Sequence, residues 1–249
     1  MLDKKYAVIT AYNGETFNII KRCHDSVKNQ RVPTDHIIIC DGKYEEFLKL
    51  LDARIIILDK NHGDYGNTPR SIGANLVICE KYDGFCFCDT DNWLEPDHVE
   101  LCLEQAAKFY AQGDCDCVIT SRMFRTPDEK ILNIPDDDIS MHVDTNCIFY
   151  FPGSYYTLMT LALMPKELTI VGDRVYWTAL KVKNLNIIYI SQKTVNYTTL
   201  WRNHYVSAQE DIPEDVRQDA DKNQLEHWRN NLSPRNKEIF ERGTGINIG

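Results

Sequence analysis

The sequence predicts an α/β fold in which a mostly parallel sheet is covered by helices on both faces. Short runs of apolar, β-forming residues alternate along the chain with segments whose apolar residues recur at the spacing of an amphipathic helix. The predicted strands are apolar throughout, which is typical of strands that are buried on both faces. Because we find no internal repeat and no linker, we expect one domain.

The first half of the chain contains five of these apolar runs, and turn-forming or acidic residues follow most of them. Asn13-Gly14 ends the first run, Gly42 follows the second, and Asp89 closes the fourth. The predicted strands are 5–12, 36–41, 54–58, 84–89 and 116–121.

Helices are predicted between these strands. Thr68 is a candidate N-cap directly before Pro69, and Pro96 opens a further helix. The predicted helices are 16–29, 44–51, 67–81 and 96 to about 112.

The second half of the chain is less regular. Residues 147–151 and 186–190 are predicted as strands, and residues 173–182 as a helix. From Ala208 onward the composition becomes polar, and we expect residues 243–249 to fray.

Composition and charge argue against several classes of protein. The 249 residues include 28 Lys plus Arg and 37 Asp plus Glu, and the resulting net charge of -9 disfavours general nucleic-acid binding. The start of the chain lacks the pattern of a signal peptide, and the apolar stretch 155–164 is too short to span a bilayer. We therefore expect a soluble, cytoplasmic protein.

Nine cysteines occur without any C-x-x-C pair. The closely spaced pairs, Cys86/Cys88 and Cys115/Cys117, lie inside apolar runs that are predicted to be strands. This pattern predicts reduced thiols that pack in the core as small hydrophobic groups, rather than a zinc site or disulfides.

The sequence lacks two common nucleotide-binding fingerprints. No G-x-G-x-x-G follows the first strand, and no G-x-x-x-x-G-K-[ST] occurs. If such a sheet binds a ligand, it should do so beyond the carboxyl ends of its strands. The residues predicted there are Thr10, Tyr12, Asn13, Asp41, Asp89, Asp91 and Asn92.

The segment Asp89-Thr90-Asp91 is the most informative of these. The same D-x-D spacing occurs at 114/116, 136/138 and 219/221, but only Asp89 and Asp91 close an apolar strand. Carboxylates at this edge are hard oxygen ligands that suit Mg²⁺ or Mn²⁺. The alternative is a turn in which an aspartate caps the helix at Pro96, and the local pattern leaves both interpretations open.

Four segments in order carry a family resemblance. They are Ala7-Val-Ile-Thr-Ala-Tyr-Asn13, Ile37-Ile-Ile-Cys-Asp-Gly42, Asn67-Thr-Pro-Arg-Ser-Ile-Gly-Ala-Asn75 and Phe87-Cys-Asp-Thr-Asp-Asn92. Together they resemble the GT-A glycosyltransferases, whose sheet is Rossmann-like, and specifically glycosyltransferase family 2. The resemblance implies a nucleotide-sugar-binding half at 1–121, an acceptor-binding half at 122–207 and a polar C-terminal extension at 208–249.

The same resemblance implies roles for individual residues in the donor site. Thr10, Tyr12 and Asp41 would contact the nucleoside, with Asp41 facing the base. Arg70 would neighbour the base or the phosphates, and Asp89 would approach the ribose or the donor sugar. As alternatives, Asp41 could start a helix and Arg70 could form a surface salt bridge. The loop that contains His62, Asp64 and Tyr65 either shapes the donor pocket or is a surface loop.

The resemblance also implies a metal ion and a general base. Asp91 would bind Mn²⁺ or Mg²⁺, with His204 as a third protein ligand; the alternative for His204 is a packed ring between aromatic neighbours. Asp173 would be the base, although Gly172 stands where the family usually has Glu. The alternative for Asp173 is an aspartate stabilised by a helix N-terminus. Asp144 and Asn146 would face the acceptor.

The function implied by this resemblance is metal-dependent, inverting transfer of a sugar from a nucleotide-diphosphate sugar, with UDP expected as the nucleotide. The acceptor would be the hydroxyl of a saccharide or of a lipid-linked saccharide reached at a membrane surface, in glycan or polysaccharide biosynthesis. A sugar nucleotidyltransferase is one alternative, although Asn13-Gly14-Glu15-Thr16 stands where that class has a Gly-rich basic loop. A non-catalytic nucleotide- or sugar-binding protein is the other. The sequence leaves the oligomeric state open.

Overall fold

The computed structural model describes residues 4–109, 114–135, 138–217 and 232–247, except for the side chain of Glu167. It confirms the predicted α/β architecture, with helices packed on a large sheet in the order β3-β2-β1-β4-β7-β6-β8-β5. The strands are β1 (Tyr6–Tyr12), β2 (Asp35–Cys40), β3 (Arg54–Ile57), β4 (Gly84–Phe87), β5 (Trp93–Leu94), β6 (Cys117–Arg125), β7 (Ile148–Tyr150) and β8 (Ile187–Thr198). The α-helices are α1 (Phe17–Lys28), α2 (Asn67–Cys79), α3 (His98–Phe109), α4 (Met159–Leu163), α5 (Gly172–Val182), α6 (Arg202–Ala208) and α7 (Pro234–Thr244).

The strands predicted from the first half of the chain form the parallel part of the sheet. β1 lies between β2 and β4 and pairs with both in parallel, and β2 pairs in parallel with β3. Their carboxyl ends therefore meet at one edge of the sheet, as the apolar runs predict. The sheet is mixed farther along, because the three-residue β7 pairs antiparallel with both β4 and β6.

The core lies on both faces of this sheet, and the cysteines behave as predicted. All nine thiols are free, and all except Cys79 are buried. No helix within the described residues has the length and apolar character needed to cross a membrane.

Two local predictions around the helices need correction. The segment predicted as a helix over 44–51 forms a 3₁₀ helix at Glu46–Leu50. Helix α2 is capped by Gly66, which has a φ of 84°, rather than by Thr68. The carboxylate of Asp64 instead accepts hydrogen bonds from the backbone N–H and the hydroxyl of Thr68, at 2.9 and 2.5 Å. An acidic residue at the start of α2 also complements the helix dipole.

Helix α3 and strand β8 differ from the bounds that the sequence predicts for them. Helix α3 begins at His98 rather than at Pro96, and its predicted end near Gln112 lies outside the described residues. Strand β8 continues past the predicted 186–190 segment to Thr198, although residues 191–193 are exposed and polar. Hydrophobicity alone could not predict this extension, because pairing with β6 holds the polar part of β8 in the sheet.

The C-terminal segment is more ordered than its composition predicts. Helix α7 includes Gly243 and Thr244, so the predicted fraying of 243–249 is wrong for its first residues, while 248–249 lie outside the described residues. Phe240 and Ile246 are buried in a small cluster with Leu168 and Val171. Two apolar side chains in a polar segment are therefore enough to dock it on the domain.

Candidate active site

A cleft of about 500 Å³ opens at the carboxyl ends of β1, β2 and β4. Its volume lies in the range of small-molecule sites, and its position is where open α/β sheets bind ligands. Five segments form its wall: the end of β1 with the turn after it, the residue after β2, the loop that leads into α2 with the first turn of α2, the residues after β4, and Arg217. The lining residues are Ala11, Tyr12, Asn13, Glu15, Asp41, Gly63, Asp64, Tyr65, Gly66, Pro69, Arg70, Asp89, Thr90, Asp91 and Arg217.

The cleft carries an excess of negative charge. Its lining contains the carboxylates of Glu15, Asp41, Asp64, Asp89 and Asp91. The guanidinium groups of Arg70 and Arg217 are the cationic side chains among the lining residues. Such a surface suits a ligand that brings cations with it, such as a metal-bound diphosphate.

Asp41 is held at the cleft by the loop that follows β3. The backbone N–H of His62 donates to both carboxylate oxygens at 3.1 and 3.2 Å, and His62 Nδ1 lies 2.6 Å from Oδ1. This loop passes so close to Gly42 that a Cβ there would lie 2.1 Å from the backbone nitrogen of Asn61. No helix begins at Asp41, so the alternative of a helix-start residue is wrong. The carboxylate is instead a positioned acceptor in the cleft.

The buried Arg70 and the partly exposed Asp89 form an ion pair that joins α2 to the segment after β4. The Arg70 guanidinium donates through Nη2 to Asp89 and through Nη1 to the carbonyl of Tyr65, at 2.8 Å for the latter. Burial disfavours the charged form of Arg70, but Asp89 outweighs burial and raises the pKa of Arg70 above its ordinary value. A cation near a helix N-terminus is unfavourable, and the carboxylate of Asp89 offsets this cost for Arg70.

Asn146 fixes the other side of Asp89. Its side-chain amide donates to Asp89 Oδ2 at 2.9 Å, and its oxygen accepts from the Asp89 backbone N–H at 2.6 Å. The same amide also donates to Asp144, which in turn pairs with Arg122 at 2.7 Å. Asp144 and Asn146 are buried, so in this structure they support Asp89, and the predicted acceptor contact stays a prediction.

Asp91 presents a partly exposed carboxylate to the cleft. Its backbone carbonyl accepts from Arg22 at 2.8 Å and from the hydroxyl of Thr198 at 2.5 Å, which fixes the turn. Burial, and then the charge of Asp89, raise the pKa of Asp91 to about 7. Because α3 begins only at His98, neither aspartate of the D-x-D segment caps that helix, and the capping alternative is wrong.

Thr10 and Tyr12 lie at different depths. Tyr12 lines the cleft, and its hydroxyl donates to the carbonyl of Glu15 at 2.9 Å. Thr10 is fully buried below the cleft, where its hydroxyl donates to the carbonyl of Cys88 at 2.8 Å and lies 2.9 Å from His36 Nε2. Of the predicted donor-site residues, Tyr12, Asp41, Arg70 and Asp89 therefore share the cleft, whereas Thr10 supports it from below.

His204 lies on α6, among aromatic side chains. Its Nδ1 is 2.5 Å from the hydroxyl of Thr199, and its ring packs edge-on against Phe124 with centroids 4.7 Å apart. Among the described residues, no three His, Cys, Asp or Glu side chains gather into a group that could hold a metal ion. The structure does not bring His204 together with Asp89 and Asp91 in this way, and its role as a metal ligand stays a prediction.

Asp173 lies in the first turn of α5, as predicted. His142 Nε2 is 2.5 Å from its Oδ2, and the backbone N–H of Arg174 donates to its Oδ1 at 2.7 Å. Burial tends to raise the pKa of Asp173, but the hydrogen bond and charge of His142 outweigh burial and lower that pKa below its ordinary value. Asp173 is therefore ionised at neutral pH, as a general base must be.

The start of α5 packs against the start of α2, which forms part of the cleft wall. A Cβ on Gly172 would lie 3.1 Å from the side-chain nitrogen of Asn67. A larger side chain at this position would require the side chain of Asn67 to shift by a few tenths of an ångström. The contact also links the candidate base to the helix that carries Arg70.

Arg217 also lines the cleft, although the sequence places it in the polar C-terminal extension and does not predict it as a site residue. Its backbone is fixed by two hydrogen bonds, to the carbonyl of Leu200 at 2.6 Å and from the N–H of Arg202 at 3.0 Å. Its guanidinium lies 5.7 Å from the ring centroid of Trp201. Nothing in the local sequence marks this residue, because it reaches the cleft only through the fold.

Comparison with known proteins agrees with this architecture. Residues 6–173 match the family model of Glycosyl transferase family 2. The chain is 34% identical over 131 residues to a chondroitin synthase of Pasteurella multocida (strain Pm70), a match that covers 50% of this chain. A hyaluronan synthase of Pasteurella multocida matches with the same identity and coverage. The chain spans only a small part of these relatives, 13% of the length of each.

Solved structures show the same fold. The crystal structure of S. aureus TarS 1-349 in complex with UDP-GlcNAc has a TM-score of 0.60 and 15% sequence identity to this chain. The likeness covers 96% of this chain and 71% of that one. TarS 1-349 in complex with UDP gives a TM-score of 0.57, with 14% identity. The match over more than half of the chain, together with the GT-A fold, shows that the protein belongs to glycosyl transferase family 2.

Proposed function

We propose that this protein transfers a sugar from a UDP-sugar to a hydroxyl group of a saccharide or lipid-linked saccharide in glycan biosynthesis. The observation that carries the proposal is the cleft in which Asp41, Arg70, Asp89 and Asp91 come together at the carboxyl ends of parallel strands. Family membership supports the reaction class. The names of the relatives, chondroitin synthase and hyaluronan synthase, and the UDP-GlcNAc complex of TarS support the donor and the type of product.

The donor nucleotide would bind along the cleft wall. Asp41 offers a fixed carboxylate acceptor for the N–H of a base, and the buried Tyr12 supports the cleft wall beside it through its hydrogen bond to the carbonyl of Glu15. The diphosphate needs positive charge. Arg70 is already engaged by Asp89, so Arg217 is the cation of the described lining that is available to a phosphate oxygen.

A divalent metal ion would offset the excess negative charge of the cleft lining. Five carboxylates face two guanidinium groups in the lining, and one of those groups is paired with Asp89. Mg²⁺ and Mn²⁺ are bound through one or two carboxylates together with substrate phosphates and water, so a cluster of three protein ligands is not required. Asp91 would hold the ion, and a bound ion would offset the charge that develops on the departing diphosphate.

Asp173 would act as the general base. The acceptor hydroxyl would give its proton to the Asp173 carboxylate as its oxygen forms a bond to the anomeric carbon and the bond to the diphosphate oxygen breaks. Attack in line with the leaving group would invert the configuration at that carbon. Despite burial, the pKa of Asp173 is lowered by His142, so its carboxylate is unprotonated at neutral pH.

The test is acceptor-dependent release of UDP from a panel of UDP-sugars, with oligosaccharide acceptors and with Mn²⁺ or Mg²⁺ present. We expect one UDP-sugar to support turnover, Asp173→Asn to reduce kcat by roughly 10² to 10⁴, and NMR of the product to show an inverted anomeric centre. Release of pyrophosphate instead of UDP would identify a nucleotidyltransferase. UDP binding without turnover of any donor would identify a binding protein, and either result would contradict the proposal.

A further inference from the structure

The segment before β7 is fastened along one face of α5. Trp177 Nε1 donates to the carbonyl of Ile139 at 2.8 Å, and Lys181 Nζ donates to the carbonyl of Ser140 at 2.6 Å. Asp173, Trp177 and Lys181 recur every four residues, so they lie on the same face of the helix. The contact of His142 with Asp173 is the third in this row.

His142 and Asp173 differ in their exposure. The side chain of Asp173 is 34% exposed, whereas that of His142 is 17% exposed. The carboxylate is therefore the more accessible member of the pair. His142 also lines a cavity of about 30 Å³ together with Arg122 and Asp144.

The helix itself offers Asp173 no side-chain partner at the preceding position. A Cβ on Gly172 would lie 3.1 Å from the side-chain nitrogen of Asn67, so a larger residue there would require the Asn67 side chain to shift. Glycine at this position has no side chain that could contact the Asp173 carboxylate, and its partner comes from another part of the chain. In this structure the partner is His142, in the segment that hydrogen bonds from Trp177 and Lys181 hold against α5.

We propose that His142 is a positioning residue for Asp173: it holds the carboxylate in one orientation for the acceptor hydroxyl. The inference rests on the proposed function, because it gives Asp173 the role of base. In the transfer step the acceptor proton moves to Asp173, the oxygen–carbon bond forms and the diphosphate leaves with the electron pair of the broken bond. His142 keeps its own proton and does not touch the sugar.

The charges around Asp173 define a pH readout for this role. His142 faces the carboxylate from the segment before β7, Arg122 acts on it from β6 with Asp144 as its partner, and the Arg174 N–H contacts it from α5. Burial alone would raise the pKa of Asp173, and His142 is the main group that lowers it. Loss of such a partner should raise the pKa of a carboxylate by about one to three units.

The experiment measures kcat against pH at saturating Mn²⁺ and UDP-sugar, where Asp91 would already hold the ion, for the wild type, His142→Gln, His142→Phe and Asp173→Asn. We expect His142→Phe to move the acid limb up by about one to three units, with the KM for the UDP-sugar unchanged. The amide of His142→Gln can still donate a hydrogen bond, so this variant should recover most of the rate at neutral pH. The double variant His142→Phe/Asp173→Asn should be no slower than Asp173→Asn alone, because the two residues act as one unit.

Lys181→Met is the matched control. It removes a hydrogen bond between the same segment and α5 without touching Asp173, so a purely structural effect of His142 would appear in this variant too. An acid limb that shifts equally in Lys181→Met, or one that does not move in His142→Phe, would overturn the inference. If the wild type shows no transfer, the proposed function fails, and the pairing is then tested by NMR titration of the Asp173 carboxyl carbon. An Asp173 pKa that is the same in the wild type and His142→Phe overturns the inference without any activity measurement.

Discussion

The buried guanidinium of Arg70 binds the carboxylate of Asp89 and so joins α2 to the segment that follows β4. Both residues line the cleft. The side-chain amide of Asn146, which lies just before β7, donates a hydrogen bond to the same carboxylate. The shape of the cleft therefore depends on an ion pair whose Arg70 side chain is only 10% exposed.

Removing the cation of this pair should destabilise the fold. In Arg70→Met, the partly exposed Asp89 loses its charged partner, and loss of a hydrogen bond to a charged group costs about 1.5–3 kcal/mol in the free energy of unfolding. Arg54→Met is the matched control, because Arg54 pairs with Glu80 at 2.7 Å on the surface, where a pair contributes less than about 1 kcal/mol. Urea denaturation of the two variants measures the difference. Equal losses of stability would contradict a structural role for the Arg70–Asp89 pair.

Arg217 should contribute to binding of the diphosphate and not of the nucleoside. In Arg217→Ala we expect the Kd for UDP to rise about tenfold or more, since a hydrogen bond to a charged group contributes about 1.5–3 kcal/mol. The Kd for uridine should not change. Arg235→Ala removes the same charge from the exposed face of α7 and should leave both values unaltered. Calorimetric titration distinguishes these cases, and equal weakening of UDP and uridine would show that Arg217 does not act on the phosphates.

Two buried histidines should contribute stability that is lost as the pH drops from about 6.5 to about 4, whereas Asp91, with its raised pKa, contributes in the opposite sense. Burial lowers the pKa of His98 to about 4, and burial together with His36 lowers the pKa of His24 to about 4. In this window the unfolded chain binds protons at these histidines that the folded protein excludes, so their contribution to the free energy of unfolding decreases with falling pH. His98 is fully buried and should account for about 3 kcal/mol of this loss.

Urea denaturation at pH 7 and at pH 4.5 measures this dependence. His98→Gln should unfold with a smaller difference between the two pH values than the wild type, whatever its stability at pH 7. An identical difference in both proteins would show that His98 is not the titrating group.

The sequence predicts the parallel half of the fold well, because the signals there are local. The apolar runs of β1, β2 and β4 are short and end in turn or acidic residues, so the position of Asp41, Asp89 and Asp91 at one sheet edge follows from their order. By contrast, the two-residue β5 and the antiparallel β7 are fixed by pairing with distant strands. Strands this short carry no period of their own.

The site residues also divide into those that belong to local motifs and those that only the fold brings to the site. Tyr12, Asp41, Arg70, Asp89 and Asp91 meet in the cleft as predicted, since each belongs to a local motif. Arg217 reaches it from a segment whose composition indicates only a polar tail, and His142 reaches Asp173 across 31 positions of sequence. Contacts of this kind depend on how the chain returns to the sheet, which one sequence does not reveal.

Calorimetric titration of UDP in the presence and absence of Mn²⁺ tests the central claim most directly. The comparison uses the wild type, Asp91→Asn and Asp114→Asn, which makes the same chemical change in another D-x-D segment whose aspartates do not line the cleft. We predict that UDP binds the wild type and Asp114→Asn more tightly with Mn²⁺, and that Asp91→Asn loses this metal-dependent gain. No binding of UDP to the wild type, or a gain from Mn²⁺ that is the same in all three proteins, would contradict the account.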